Sequence, residues 1–361
     1  MTPTEPTDST PTEPTDSTPT EPNPTDQTEA DPTAEAEVAF ERELLEAQWL
    51  LPTLGPGVTG TGVAMEAVIR GLEVLARQRV EEHLDRPGAV RAVRFPPVNG
   101  RSMLERTDYV ASFPQLLGTI DVFTGDTKAH RRLLADREAG LPWDGHLHTS
   151  DYALVPAACH PLYAWLSMTG NTAPAHGEPN GDGGGQPETR AVVDGTVWAL
   201  TGDCFRNEPS PDPMRLVSFR MLEFVLLGTP EQALAHRGAM LELGSQLLRD
   251  LGLTVSVEGA NDPFFGRAGV MLAKGQRAAE LKFEITTQVY AGRDTAIASG
   301  NYHDEHFGAE FGLTTDDGAV AHSACFGFGL ERIALALARR HGTDLTTWPA
   351  RTRDLLGLEQ A

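Results

Sequence analysis

"DCFRNEPSPDPMRLVSFRMLEF", residues 203–224, sets two apolar arms around a polar loop broken by three prolines. That pattern reads as a hairpin of two strands. Side chains on a strand alternate with period two, so Cys204, Arg206 and Glu208 share one face of the first arm. On the return arm Arg220, Leu222 and Phe224 share another. A guanidinium can hold a phosphate through two N–H groups, an aromatic ring can stack on a base, and a carboxylate can accept from an exocyclic amine. These groups together suit ATP laid across an antiparallel sheet with no glycine cradle. A surface hairpin with cross-strand Arg–Glu pairs would use the same residues, so this stretch does not decide alone.

A second stretch adds weight. In "CFGFGLERIALAL", residues 325–337, Gly327 and Gly329 permit close backbone approach on a strand. Arg332 then opens a helix whose N-terminal amides favour anions. In this order and spacing the two stretches resemble motifs 2 and 3 of the class II aminoacyl-tRNA synthetases, the "fRxE"–loop–"R…F" hairpin and the "GxGxER" strand-to-helix turn. The degenerate motif 1 would lie near "FPPVNGRSMLERTDYVASFPQLLG", residues 95–118.

"PAACHPLY", "RMLEF" and "HSACFGFGLER" narrow the likeness to the zinc-dependent seryl-tRNA synthetases and, more closely, to their truncated relatives, the amino acid–carrier protein ligases. The resemblance covers roughly residues 38–358. It implies an α+β catalytic domain, an antiparallel sheet flanked by helices, acting as a homodimer. It also implies zinc held by Cys159, Glu223 and Cys325, with a fourth tetrahedral position open to the substrate's amino group. Arg206 and Glu208 would take the α-phosphate and adenine side of ATP. Arg215 and Leu216 would lie along the phosphates, Arg332 at the γ-phosphate, and Arg220 and Phe224 on the nucleotide from the return arm. "ELKFEITT" resembles the strand bearing a magnesium-binding acid, here Glu284, with Lys282 and Thr287 nearby. "ASGNYH" resembles the amino-acid pocket floor and brings Ala298, Ser299 and Asn301 beside Glu223. His303 and His306 read as polar residues capping a turn, and Cys204 has no role in the pattern.

The remaining sequence frames that site. Residues 1–37 repeat "PTEPTDST" and hold ten Asp or Glu and no Lys or Arg, which leaves −12 of the chain's −22 on the rest. Such a tail cannot repay the entropy of ordering, so a disordered tail over 1–37 is expected, then a domain over 38–361 with a flexible Gly/Pro-rich insertion at 170–194. "VAFERELLEAQWLL" reads as a helix ending at Pro52, and Thr229-Pro230-Glu231-Gln232 as a capping box opening a helix to about Leu251. Three scattered cysteines make no disulfide framework. The absence of a signal sequence and of any long apolar run points to the cytoplasm.

The acidic balance argues against nucleic acid. No tRNA-recognition domain precedes the core, and only "GTDLTTWPARTRDLLGL" follows the last motif. The resemblance to the truncated ligases implies ATP-dependent activation of a small amino acid, glycine or alanine first and serine next. It also implies that the acceptor is the phosphopantetheine thiol of a small acidic carrier protein. Arg267, Lys274 and Arg277 form a local basic cluster that would dock the carrier; a solvated helix face reads equally well. The rival readings are a tRNA ligase without its recognition domain, a non-catalytic amino-acid-binding paralogue, and a purely structural interaction protein, which would have no use for buried charged motifs.

Overall fold

A computed structural model describes residues 32–55, 57–85, 89–169, 171–173, 190–262 and 280–359. In chain order the elements open with α1 (Pro32–Glu46), the hairpin β1 (Leu50–Pro52) and β2 (Thr59–Thr61), and α2 (Val63–Leu84). Then come β3 (Val90–Val93), β4 (Val98–Gly100), α3 (Arg101–Arg106), α4 (Tyr109–Ser112), β5 (Thr119–Val122), α5 (Thr127–Glu138), β6 (His148–Leu154) and α6 (His160–Thr169). β7 (Asn171–Ala173), β8 (Arg190–Val192), β9 (Val197–Phe205), β10 (Ser218–Gly228), α7 (Pro230–Asp250), β11 (Val255–Gly259), β12 (Lys282–Tyr290) and β13 (Arg293–Tyr302) follow. The last elements are α8 (His306–Phe311), β14 (Leu313–Thr314), β15 (His322–Gly329), α9 (Leu330–His341) and α10 (Ala350–Leu356).

A seven-stranded sheet in the order β11-β12-β13-β15-β10-β9-β3 is the frame. Every neighbouring pair is antiparallel except β3 with β9. The α+β expectation holds, and the strand alternation explains how it is built. Leu222, Phe224 and Leu226 of β10, with Ala324, Phe326 and Phe328 of β15, pack into a core shared with α1, α2, α7, α9 and α10. The other face is covered only in part. There α6 and α8 pack over Trp198, Leu200, Val225, Leu227 and Cys325, leaving the strands beyond Glu223 free to present polar groups.

Helix α7 starts as the sequence predicts. Thr229 and Gln232 make the reciprocal capping box, and Gly252 at φ +93° turns the chain away after the helix. Its closest approach to the sheet is at Gly244, where an added Cβ would sit 2.4 Å from Phe326 Cζ.

Three expectations change. The boundary at 38 is too late, because α1 begins at Pro32 and buries Glu37 against Arg293; residues 1–31 lie outside the described residues. The first helix ends at Glu46 rather than at Pro52, since Gln48 adopts φ +55° and Leu50–Pro52 pair with Thr59–Thr61. The ends of the 170–194 stretch are strands: β7 pairs with β8, which pairs with β14. Residues 170 and 174–189 lie outside the described residues. Among the described residues no helix is long and apolar enough to cross a membrane.

Gly244→Ala is expected to destabilise the fold by about 1–3 kcal/mol, because overpacking the α7–β15 contact outweighs the gain in helix propensity. Chemical denaturation measures it, and an unchanged or raised midpoint would contradict the close approach.

Candidate active site

The exposed face of the sheet is read most simply across its rungs. Glu223 on β10 pairs with Gly327 on β15, Gly327 with Ser299 on β13, and Ser299 with Glu284 on β12. Two residues along, on the same face, Cys325 pairs with Asn301, and Asn301 with Lys282. Because side chains at paired positions share a face, one strip runs across four strands and a second across three. Gly327 keeps the middle of the floor low: a Cβ there would meet Met221 Cε at 3.0 Å and Glu223 Cγ at 3.4 Å.

Cys159, at the entry to α6, is folded down onto this floor. One donor atom each from Cys159, Glu223 and Cys325 lies within 4.8 Å of the others, and all three residues are buried. The Ala158 backbone N–H donates to Glu223 Oε1 at 2.9 Å, whereas Oε2 is buried with no hydrogen-bond partner. Burial, and then the charge on Cys325, push the Glu223 carboxyl up to about 7. The Cys159 thiol hydrogen bonds to the Cys325 sulfur, which drives Cys159 well above and Cys325 well below the usual thiol range. His303 Nε2 and Asn301 Nδ2 each lie 3.7 Å from Cys325 Sγ, and both favour the thiolate. His303 Nδ1 meets Ser323 Oγ at 3.2 Å, so this ring supports a cysteine rather than simply capping a turn. Two thiols and an orphaned carboxylate oxygen fit a tetrahedral zinc site with a position to spare.

The anion-binding side lies at the hairpin loop. The first arm is shorter than the sequence suggests: β9 stops at Phe205, and Arg206 N–H bonds Val217 O at 2.9 Å to close the loop. Proline at 209, 211 and 213 removes the donors a longer ladder would need. Arg206 Nε donates to Pro156 O, and Arg332 donates to Met214 O and Ala296 O. Neither forms an ion pair among the described residues. Burial, followed by repulsion from Arg206 and Arg215, lowers the pKa of Arg332. Three guanidiniums are thus close enough to repel one another, an arrangement that an anion would relieve. Of the three, only Arg215 forms an ion pair among the described residues, with Glu208 at 3.9 Å, and Leu216 follows it in the loop. Lys282 Nζ bridges Asp262 at 2.6 Å and Glu284 at 3.0 Å.

Four expected residues fall elsewhere. Arg220 is spent on structure: its guanidinium donates to Glu331 and to both oxygens of Glu66, clamping α2 and α9 to β10. Phe224 is 0% exposed, edge-on to Phe328 in the helix-side core. Ala298 belongs to that core. Thr287 has the parity of Ile285 and Val289, both in the helix-side core, and donates to Thr254 O. Arg267, Lys274 and Arg277 lie outside the described residues.

Phe219 is the ring that sequence reading missed. It shares parity with Met221 and Glu223 and packs on the same side, with the Arg206 guanidinium 5.4 Å from its centre. Its signal was available, since a ring sharing a site with Glu223 must stand an even number of residues from it.

No family model matches the chain. It is 38% identical over 304 residues to amino acid–[acyl-carrier-protein] ligase 1 of Bradyrhizobium diazoefficiens, covering 84% of this chain and 86% of the relative. To ligase 2 of the same organism it is 37% identical over 306 residues, covering 84% of each. Among solved structures, the seryl-tRNA synthetase of Methanopyrus kandleri in complex with A. aeolicus tRNASec superimposes with a TM-score of 0.69 at 19% identity. The match covers 89% of this chain and 60% of that one. Prolyl-tRNA synthetase from Cryptosporidium parvum follows with a TM-score of 0.57 at 13% identity, covering 84% and 52%. These structures share the fold.

The raised Glu223 carboxyl has a signed consequence for metal-free protein. The folded chain binds this proton more tightly than the unfolded chain, so the associated stability is present below pH 4.5, the ordinary value, and is lost as pH rises toward about 7. Chelator-treated protein should denature more easily across that window, and Glu223→Gln should lose the dependence. Equal slopes in both proteins would contradict the buried carboxyl.

Proposed function

The chain belongs to the family of amino acid–[acyl-carrier-protein] ligases, and on that premise we propose that it activates a small amino acid with ATP and passes it to the phosphopantetheine thiol of a carrier protein. One observation carries the reading: the Arg206 guanidinium lies over Phe219 on the Glu223 face, close enough to act on the Glu223 carboxyl of the Cys159–Glu223–Cys325 cluster and on Arg332. An amine anchor and a polyphosphate site are what joining an amino acid to ATP requires.

Cys159, Glu223 and Cys325 would hold zinc, which when bound supplies a Lewis acid for the substrate's amino group. Ser299 and Asn301 line the floor beside it. Met221, close above Gly327, narrows the space near the amino-acid backbone, which supports glycine or alanine first and serine next. Phe219, rather than Phe224, is the platform for adenine, with Glu208 accepting from the exocyclic amine. Arg206 neutralises the α-phosphate, and Arg215 and Arg332 the β- and γ-phosphates. Glu284 is placed to take Mg2+ once Lys282 turns wholly to Asp262.

Chemistry then needs no protein nucleophile. A carboxylate oxygen of the amino acid attacks the α-phosphorus in line, and the bond to the bridging oxygen breaks to release pyrophosphate. Charge growing on the leaving phosphates falls on guanidiniums already in place. The carrier thiol, losing its proton to solvent, attacks the activated carbonyl and AMP departs.

A second copy would cover the sheet's β3 edge. Arg91 and Ala92 there are exposed, and a cavity of about 440 Å³ opens between α2 and this edge beside Ile69, Arg70, Arg77 and Arg94. The formal charge of −22 weighs against tRNA as acceptor.

Radiolabelled glycine, alanine or serine supplied with ATP should appear on a phosphopantetheinylated carrier as a hydroxylamine-sensitive thioester. Label on tRNA and on no carrier would overturn the reading. Phe219→Ala should raise the KM for ATP roughly tenfold with little loss of stability, whereas Phe224→Ala should cost about 3–5 kcal/mol of stability. The reverse pattern would return the adenine to Phe224.

A further inference from the structure

The loop between β9 and β10 carries Arg215 and is held from below by a network that the reaction does not itself use. Asp212, 4% exposed, is its hub. Asp212 Oδ1 accepts from Met214 N–H and from the Tyr290 hydroxyl, both at 3.0 Å. Oδ2 accepts from the Arg293 guanidinium, whose other nitrogen donates to Glu37 on α1. The Arg293 guanidinium also lies 5.0 Å from the centre of the Tyr290 ring, and Phe40 of α1 meets that ring edge-on. The loop is therefore tied to two separated parts of the chain: the turn between β12 and β13, through Tyr290 and Arg293, and, through Arg293, helix α1.

What the hub holds is the functional part. Arg215 N–H donates to Asp212 O at 2.9 Å, fixing the backbone of that arginine. The Met214 carbonyl accepts from Arg332 Nε at 2.8 Å, and the Met214 amide is bound to Asp212. Asp212, through its carboxylate on the Met214 amide and its carbonyl on the Arg215 amide, thus holds the backbone that carries Arg215 and that Arg332 grips at the Met214 carbonyl. Elsewhere the loop is held by Asn207 N–H on Leu116 O, Val217 N–H on Gly57 O and the Met214 side chain in the helix-side core, whereas the backbone of the exposed Arg215 is held by Asp212.

Resting on the ligase reading above, we infer that Asp212 and Arg293, braced by Glu37, form a latch that positions Arg215 and Arg332 for the polyphosphate of ATP. Asp212 and Arg293 are positioning residues, because neither reaches the nucleotide except through the loop. The latch gives α1, whose first residues read as part of an acidic tail, a share in nucleotide affinity.

The test is amino-acid-dependent ATP–pyrophosphate exchange, with Mg2+–ATP binding measured separately by calorimetry, on the full-length Arg293→Ala, Arg293→Lys and Glu37→Gln proteins. Displacing the loop should raise the KM and Kd for ATP roughly tenfold or more in Arg293→Ala. The KM for the amino acid should stay within about twofold, because the amine anchor lies on other strands. Arg293→Lys should recover part of the ATP affinity, and Glu37→Gln should show a smaller shift in the same direction. A fall in thermal stability with ATP affinity unchanged, or equal losses for ATP and amino acid, would reduce the network to a structural one and overturn the inference. If Arg293→Ala fails to fold, Glu37→Gln decides, and an unchanged Kd for ATP there overturns it. Failure of the unaltered protein to bind ATP would instead sink the ligase reading.

Discussion

A carboxylate held inside a sheet with one oxygen unpartnered is a costly arrangement, and the rest of this molecule is organised around it. Glu223 is 1% exposed, and only the Ala158 amide meets its first oxygen. Leaving the second oxygen unpaired costs on the order of 1–3 kcal/mol or more. Folding brings the sulfurs of Cys159 and Cys325 against it, a set of three groups that could hold a metal ion. The loop ahead of α6, strand β10 and strand β15 must meet there, which fixes the approach of three segments far apart in sequence.

Strand alternation distributes the consequences. On β10 the even-numbered residues Leu222, Phe224 and Leu226 feed the helix-side core, which frees the odd-numbered Phe219, Met221 and Glu223 for the other face. β15 does the same with Phe326 and Phe328 against Cys325 and Gly327. The helix-side core resists distortion, so the polar face inherits fixed spacings. The Cys159–Glu223–Cys325 cluster and the floor then stand at distances set by sheet geometry rather than by flexible loops. The exception is the 206–217 loop, and it is there that Asp212 and Arg293 add a brace.

Much of this could be read from the sequence. The hairpin, the glycine-bearing strand with its arginine-led helix, and the three candidate metal ligands all sit where the motifs place them. The errors share one cause. Phe224 and Glu223 are adjacent on a strand, so they cannot face one site, and Arg220 has the parity of Phe224. Motif likeness put Arg220 and Phe224 on the nucleotide beside a site that holds Glu223, whereas alternation alone favours Phe219. Thr287 and Ala298 fail in the same way, each having been placed by proximity in sequence to a true floor residue. Other features needed tertiary information. Nothing near Arg220 announces Glu66, 154 positions away, and nothing in an acidic repeat announces that Glu37 meets Arg293.

The account turns on the cluster being a metal site that serves amino-acid activation. Metal analysis of the purified protein, compared with Cys159→Ser and run beside ATP–pyrophosphate exchange, tests this most directly. The account predicts one zinc per chain in the unaltered protein, and in Cys159→Ser a loss of zinc together with amino-acid activation while the fold persists. Full zinc retention in Cys159→Ser, or undiminished activation after its zinc is lost, would contradict it.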